Sequence, residues 1–552
     1  MGYSILQDAG LYNVRHGVLL TGAMLLALLL VGPFFLARRG QETPSPRWLP
    51  VPFTHDMRQH LSVLRQLDAA VRTGELYPRW QPEFNKGYGL PWLNYYPPAF
   101  YWFAELFYAM TGDPVNTIFI ACMLMMVACG VATYVLAREF FSWKASAAAA
   151  AMYMLGPYHA LDLYWRGALP ELAGFFFVPA VLFCAHRAGS TRGARWVAAL
   201  GLVHGLYLLT HIPVAYLMTV TLTAYAVAWA AMQCDVRIAL RIAAGVAWAF
   251  AASAVYWLVA VLEKKHVSET FSFDFPYHTS YVVLAGSEGS ARLDATFVAL
   301  AAAVAAAWLM SGAQTLAQHR LFRAFAAGTL FMVTPYSMYF ARLIPNINSV
   351  SFAWRWFVLV ECFLALLAAM CIDRLRTARR LYAVLFAASL AFLLFTTVRL
   401  MLRAFDEPNL DAIVSYVETG FVPGRAGDPF QLPDDTPPAA LAPAGGTVDV
   451  VKWAPLRREV MVTTPRECIL LLRTYRFRGW TARVDGRRVE LGMDQYGAQL
   501  LRVLPGRHRV VVTFENPRTR NALAILSALA LLAACVITFR AERRRPAGVP
   551  PP

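Results

Sequence analysis

The strongest constraint on this 552-residue chain is a series of apolar runs, many of them near the roughly 20 residues a helix needs to cross a bilayer. About twelve are visible, at 17–37, 115–137, 146–160, 170–186, 195–211, 213–232, 240–261, 294–311, 322–341, 354–372, 381–399 and 521–539. In hydrocarbon each backbone polar group must be satisfied within its own segment, so such runs fold as helices. Hydrophobic residues make up 58% of the chain and charged residues 15%, against roughly a quarter charged in soluble proteins. The expected fold is therefore an α-helical polytopic membrane protein. No small-residue cleavage site follows the run Gly17–Leu36, which reads as an uncleaved anchor.

The formal net charge is +16. Its basic residues sit in short runs between apolar segments, which is the positive-inside pattern and not the basic face of a nucleic-acid binder. With the N-terminus inside, the inner connections carry Arg138 and Lys144; Arg187, Arg192 and Arg195; Arg237 and Arg241; Arg320 and Arg323; and Arg374, Arg376, Arg379 and Arg380. The basic tail from Arg540 to Arg545 falls inside as well. Arg38 and Arg39 run against the pattern, but they precede a long loop, where the rule weakens. Seven of the eight cysteines lie in or beside apolar runs and none forms a CxxC pair, so neither a disulfide framework nor a zinc ribbon is indicated.

This orientation puts Phe53–Tyr101 outside, together with Tyr158–Pro170, Glu263–Asp294, Arg342–Ser351 and a region from Met401 to Arg520. The first of these is polar, aromatic and rich in Pro and Gly, and structureless loops of that length are uncommon. Within it, Ala99–Met110 is too short to span and reads as an interfacial helix. The expected organisation is a transmembrane part at 1–400 with outer loops 38–114 and 158–170, an outer linker and β-rich part at 401–520, and a last span with a basic tail at 521–552. A Pro/Ala/Asp-rich linker at 431–446 precedes VDVVKW, REVMVTT, CILLLRTY, WTARVDGRRVEL, AQLLRVLP and HRVVVTFE. These alternating runs, with turns at Asp485-Gly486 and Pro505-Gly506, predict a small β-sandwich. No charge constellation in it looks catalytic, and a packing or carbohydrate-facing accessory role is the plain reading.

Asp56 opens a helical pattern through Leu61, Leu64 and Leu67. Its plain role is an N-terminal helix residue helped by the dipole; its sharper one is a carboxylate that takes a proton or holds a cation. Asp56 and His60 are four apart and share a face, and the spacing is not that of a zincin. The loop YHALDLYWRGALPE carries Asp162, Arg166 and Glu171. Asp162 and Arg166 make a local i,i+4 pair, or Asp162 approaches Asp56 so that the two share base and positioning roles or bind a divalent cation such as Mg2+ or Mn2+. Outer cations at Lys86, Arg166, Lys264, Lys265, Arg342 and Arg355 either snorkel to headgroups or hold a lipid-linked phosphate.

THDMRQH, GELYPRWQPEFNKGYGLPWLNYYPPAFY, DLYWRGALPEL and SFAWRWF resemble the bacterial multi-pass membrane proteins of the 6-pyruvoyl-tetrahydropterin synthase-related family, which are YfhO-like. GWTARVDGRRVEL and LPGRHRVVVTFENP resemble the β-domain of YfhO-type proteins. More distantly the chain resembles GT-C glycosyltransferases, although it lacks their commonest Asp-x-Asp or Glu-x-Asp pair. That resemblance implies a bacterial inner-membrane enzyme with both termini cytoplasmic. Its donor would be a polyprenyl-phosphate-linked sugar, and its acceptor an envelope glycan or lipid. It implies Asp56 and Asp162 as catalytic residues or cation ligands. Substrate contacts would come from His60, Lys86, Tyr95, Arg166, Glu171 and Arg355. The rival readings are a transporter or flippase of lipid-linked saccharide, which calls for ionisable residues along the spans, and an inactive scaffold with the same fold.

Overall fold

The computed structural model describes residues 2–36, 54–191, 193–267, 288–312, 316–375, 380–406, 436–515 and 518–540. Arg38, Arg39, Arg192, Arg376, Arg379, most of the outer loop after Val267, the start of the linker and the tail beyond Arg540 lie outside the described residues. In chain order the helices are α1 (Gly2–Leu36), α2 (Met57–Val71), α3 (Trp92–Tyr95), α4 (Ala99–Thr111), α5 (Pro114–Arg138), α6 (Trp143–Met154), α7 (Pro157–Leu161), α8 (Leu169–Ser190) and α9 (Ala194–Thr210). There follow α10 (Ile212–Gln233), α11 (Val236–Ala252), α12 (Ala254–Glu263), α13 (Glu288–Ser311), α14 (Ala317–Met332), α15 (Met338–Ala341), α16 (Phe357–Asp373), α17 (Arg380–Asp406) and α18 (Arg518–Arg540).

Each of the twelve apolar runs falls on a helix. Among the described residues, eight helices are long and apolar enough to span on their own, and a bent pair makes nine. The bent pair is α11 and α12, which turn by 70° about Ser253. The Ser253 hydroxyl donates back to the Ala249 carbonyl at 2.8 Å, a local bond that competes with the helical ladder and favours a bend. The run at 146–160 is broken between α6 and α7, and the run at 322–341 becomes α14 followed by short turns. Helix α16 is apolar all round apart from Glu361 and is almost wholly enclosed, whereas α18 leaves most of its apolar surface uncovered. Helix α5 packs on α1, α6 and α8, and α9 packs on α8, α11 and α18.

Residues 439–514 form two facing antiparallel sheets. The strands are β1 (Ala439–Ala442), β2 (Thr447–Ala454), β3 (Arg457–Thr464), β4 (Cys468–Tyr475), β5 (Trp480–Val484), β6 (Arg487–Val489), β7 (Gly492–Met493), β8 (Ala498–Val503) and β9 (Gly506–Phe514). One sheet has the order β1-β4-β8-β7 and the other β2-β3-β9-β5-β6. Alternate residues point inward, among them Val460, Val462, Leu470, Leu472, Val510 and Val512. Asp485-Gly486 closes the β5–β6 hairpin as its sequence predicts. Pro505-Gly506 instead carries the chain from one sheet to the other, since β8 and β9 lie in different sheets. Residues 439–442, expected as linker, form β1 and pair with β4.

The polar stretch after α1 joins these two parts. Trp80 is fully buried, with its ring 5.4 Å from Trp480, 5.8 Å from Phe514 and 6.0 Å from Phe477. Gln81 and Leu90 exchange backbone hydrogen bonds of 2.8 and 2.9 Å, which brings Gly89 under the indole. Gly89 has φ +77, and a Cβ there would sit 2.3 Å from Trp80 Nε1, so only glycine fits. The Tyr88 carbonyl then accepts from Tyr475 N–H at 2.9 Å. Trp80→Ala is expected to cost about 3–5 kcal/mol, the usual range for truncating a buried large aromatic. Limited proteolysis of the detergent-solubilised protein checks this: cleavage within the sandwich should accelerate, and an unchanged rate would show that Trp80 does not hold the joint.

Candidate active site

Asp56 stands at the N-terminus of α2, yet its side chain makes no capping hydrogen bond. Asp56 is thus the N-terminal helix residue expected from sequence, and without a capping bond it stays partly exposed. What fixes Asp56 is its backbone: its N–H donates to the Arg166 carbonyl at 3.0 Å, and His55 N–H reaches the Trp165 carbonyl at 3.5 Å. These carbonyls end a π-helical turn over Asp162–Arg166, which Gly167 closes at φ +63. A Cβ on Gly167 would lie 2.0 Å from Thr54 Oγ1, so a side chain there would push the two loops apart. The glycine allows two loops, more than 100 residues apart in sequence, to meet backbone to backbone.

Below Asp56 lies a buried charge cluster. One nitrogen of Arg166, Nη1, donates to Asp162 Oδ1 at 2.7 Å, to Glu171 Oε2 at 2.7 Å and to the Tyr158 hydroxyl at 3.1 Å. Tyr158 donates its own proton to Glu171 Oε1 at 2.7 Å. Arg355 Nε donates to Glu171 Oε2 at 3.3 Å, and its Nη1 bonds the Val350 carbonyl. His211 Nε2 stands 3.6 Å from the same Glu171 oxygen. The expected Asp162–Arg166 pair is therefore present, with Glu171 as a third member.

The electrostatics follow from burial. Desolvation pushes the Asp56 carboxyl up to about 6; Arg166 and Arg355 oppose it, and Glu171 adds to it. Asp162 is raised well above the ordinary carboxylate range by burial first and then by Glu171. Its Oδ2 has no hydrogen-bond partner among the described residues. His60 is buried with Nδ1 2.7 Å from the Tyr101 hydroxyl, and burial lowers its pKa to about 3, so it is a neutral side chain that ties the buried face of α2 to α4. His55 is lowered to about 4 by burial and by Arg166 and Arg292.

The structure thus brings Asp56, Asp162, Arg166, Glu171 and Arg355 together, with His60 one turn along α2 from Asp56 on the buried side of that helix. It does not bring in Lys86 or Tyr95. Lys86 lies in the Asn85–Gly87 turn, where Gly87 abuts Arg473 of the sandwich. The Tyr95 hydroxyl donates to the Glu263 carbonyl at 3.0 Å, on another side of the joint. Its neighbour Tyr96 is the one that senses Asp56, Arg355 and Arg166. Tyr158, His211 and Tyr96 were missed as site residues; Tyr158 heads the quoted YHALDLYWRG segment, and His211 sits at the break before Pro213. The donors suit a divalent cation poorly. Asp162 Oδ1 is spent on Arg166, and no group of three His, Cys, Asp or Glu side chains among the described residues has metal-binding geometry.

A helical bundle with many apolar spans, a sandwich at one end and a buried acid–guanidinium cluster define a polytopic membrane protein. The chain belongs to the membrane-protein family described as 6-pyruvoyl-tetrahydropterin synthase related domain, whose model matches residues 93–402, more than half of it. Asp56 and His60 precede the matched region. No curated protein matches the chain. Among solved structures it is similar to the arabinofuranosyltransferase AftD from mycobacteria, at 18% identity and a TM-score of 0.46, covering 69% of this chain and 27% of that one. It is similar to the oligosaccharyltransferase of Archaeoglobus fulgidus, at 13% identity and a TM-score of 0.44, covering 70% and 56%. It is also similar to ArnT from Cupriavidus metallidurans bound to undecaprenyl phosphate, at 17% identity and a TM-score of 0.40, covering 71% and 74%. The chain thus spans about a quarter of the length of the mycobacterial transferase.

Removing Arg166 should strand the carboxylates it serves. Arg166→Met is expected to destabilise the protein by about 3–5 kcal/mol, the range for breaking a buried ion pair from one side. Asp162→Asn should cost less, because Glu171 still pairs with Arg166 and the amide oxygen can still accept from it. Thermal unfolding in detergent checks the order; an Asn variant as unstable as the Met variant would contradict it.

Proposed function

We propose that the protein is a membrane glycosyltransferase. It moves a sugar from a polyprenyl-phosphate donor to an acceptor hydroxyl on an envelope glycan or glycolipid, at the extracytoplasmic face of the bacterial inner membrane. Both termini are cytoplasmic, and the sandwich stands outside over the site. The observation that carries this reading is Asp56: a carboxylate with no capping bond, partly exposed, raised to about 6, beside two guanidiniums.

A base with a pKa near 6 is mostly ionised at neutral pH, yet it binds a proton more tightly than an ordinary carboxylate. Asp56 takes the proton of the acceptor hydroxyl. The freed oxygen attacks the anomeric carbon, the bond from that carbon to the phosphate oxygen breaks, and the phosphate leaves with its electron pair. Configuration inverts. Arg355 counters the charge that grows on the departing phosphate. Arg166 and Asp162 position Asp56 from behind through the Arg166 carbonyl and the local field. No step is assigned to a metal.

The transporter reading calls for ionisable groups lining the spans. Glu361, inside α16, instead has both oxygens taken, by Tyr158 N–H at 2.7 Å and His159 Nδ1 at 2.8 Å.

Asp56→Asn should lower the transfer rate by about 10²–10⁴-fold, the usual worth of a general base. In the wild type the rate should fall as pH drops through about 6, because protonation removes the base. Transfer of radiolabelled sugar in membranes measures both. Full activity in the Asn variant, or a flat profile from pH 5 to 8, would defeat the assignment.

A further inference from the structure

A second charged site lies at the joint between helices and sandwich, on residues that the acid cluster does not use. Arg79 and Arg520 are both almost completely buried. Arg520 Nε donates to Glu263 Oε1 at 2.8 Å, and its Nη2 holds the other oxygen. Arg79 Nη1 donates to Asn94 Oδ1 at 3.2 Å, and its guanidinium lies 3.8 Å over the Tyr77 ring. Arg478 of the sandwich reaches His266 Nε2 at 3.3 Å.

These cations exceed their counter-ions. Arg79 and Arg520 sense each other, and Arg520 acts together with Arg478 and Lys265 on His266. Glu263 is the one carboxylate that bonds a guanidinium here among the described residues; Glu75 acts on Arg79 through space. Two buried donors, Arg520 Nη1 and Asn94 Nδ2, have no hydrogen-bond partner among the described residues. Buried guanidinium and amide donors without acceptors are costly, and an anion with several oxygens satisfies them together.

The surroundings name the kind of anion. Glu263 ends α12 and Arg520 lies in the first turn of α18, so the charges sit at the ends of two apolar helices. Val261 and Leu262, next to Glu263, are 62% and 50% exposed, and Leu76, next to Tyr77, is 70% exposed. Phosphate-binding donors at a helix end, with uncovered aliphatic side chains beside them, match a headgroup with its chain. We infer that Arg79, Asn94, Arg478 and Arg520 bind the phosphate of a membrane lipid, whose apolar chain lies along Val261 and Leu262.

The test is native mass spectrometry of the full chain in detergent, titrated separately with undecaprenyl phosphate, phosphatidylglycerol and inorganic phosphate. The wild type should retain at least one of the two lipids. Arg79→Gln should weaken that retention about tenfold or more, as expected for loss of one charge-assisted hydrogen bond. Preference for undecaprenyl phosphate identifies the site with a carrier lipid, and preference for phosphatidylglycerol with the bilayer; either supports the inference. If Arg79→Gln does not fold, Arg478→Gln, at the exposed rim, should weaken retention in its place. Lipid retention unchanged in both variants, or binding of inorganic phosphate alone, would overturn it. Asp56→Asn should leave retention intact, so a failure here and a failure of the transfer reading are separable.

Discussion

One guanidinium nitrogen holds the candidate site together. Arg166 Nη1 meets Asp162, Glu171 and the Tyr158 hydroxyl within 3.1 Å, all of them buried. Burying two carboxylates and a guanidinium costs several kcal/mol per ion, and the cost is recovered only where geometry and hydrogen bonding are good. Here Arg355 and Tyr158 supply further donors to Glu171. The same residue offers its carbonyl to Asp56 N–H. The candidate base is therefore positioned by the residue whose charge tunes it.

The stretch around Asp56 has a second task. Helix α2 is tied at its start to the Arg166 turn and farther along by Gln66, whose amide oxygen accepts from Glu83 N–H at 3.0 Å. From there the chain passes to Trp80, Gly89 and Tyr88, which seat the sandwich. The sandwich and Asp56 are thus held by one continuous segment. Part of the Gly- and Pro-rich outer stretch is thus a docking surface for the sandwich.

Much of this was legible in the sequence, where a local pattern determines a local structure. Apolar runs of spanning length gave helices, and alternation with Asp-Gly gave the β5–β6 hairpin. The break at Ser253 was not legible, because the residues on both sides are equally apolar. Strand β1 was hidden in an Ala- and Pro-rich stretch whose strand character comes from pairing with β4. Asp162 and Arg166 were readable as an i,i+4 pair. Glu171 joins them only because the chain reverses at Gly167, a tertiary event with a weak local signal. Tyr95 and Tyr96 are adjacent and alike in sequence, yet one faces Glu263 and the other the acid cluster. Composition has no means of separating them.

The two guanidiniums near Asp56 are not equivalent. Arg166 spends Nη1 on two carboxylates and a phenol, so its charge is largely answered within the cluster. Arg355 makes one longer bond to Glu171 and one to a backbone carbonyl, and it lies in the turn just before α16 with its side chain 12% exposed. It therefore keeps more capacity for an incoming anion. Both hold down the Asp56 pKa against the desolvation that raises it. Under the proposed transfer, a donor phosphate that pairs with Arg355 cancels part of that pull and adds negative charge of its own. Both effects raise the affinity of Asp56 for a proton. Donor binding then strengthens the base, and the pH below which transfer falls rises from about 6 in the empty site as the donor saturates it.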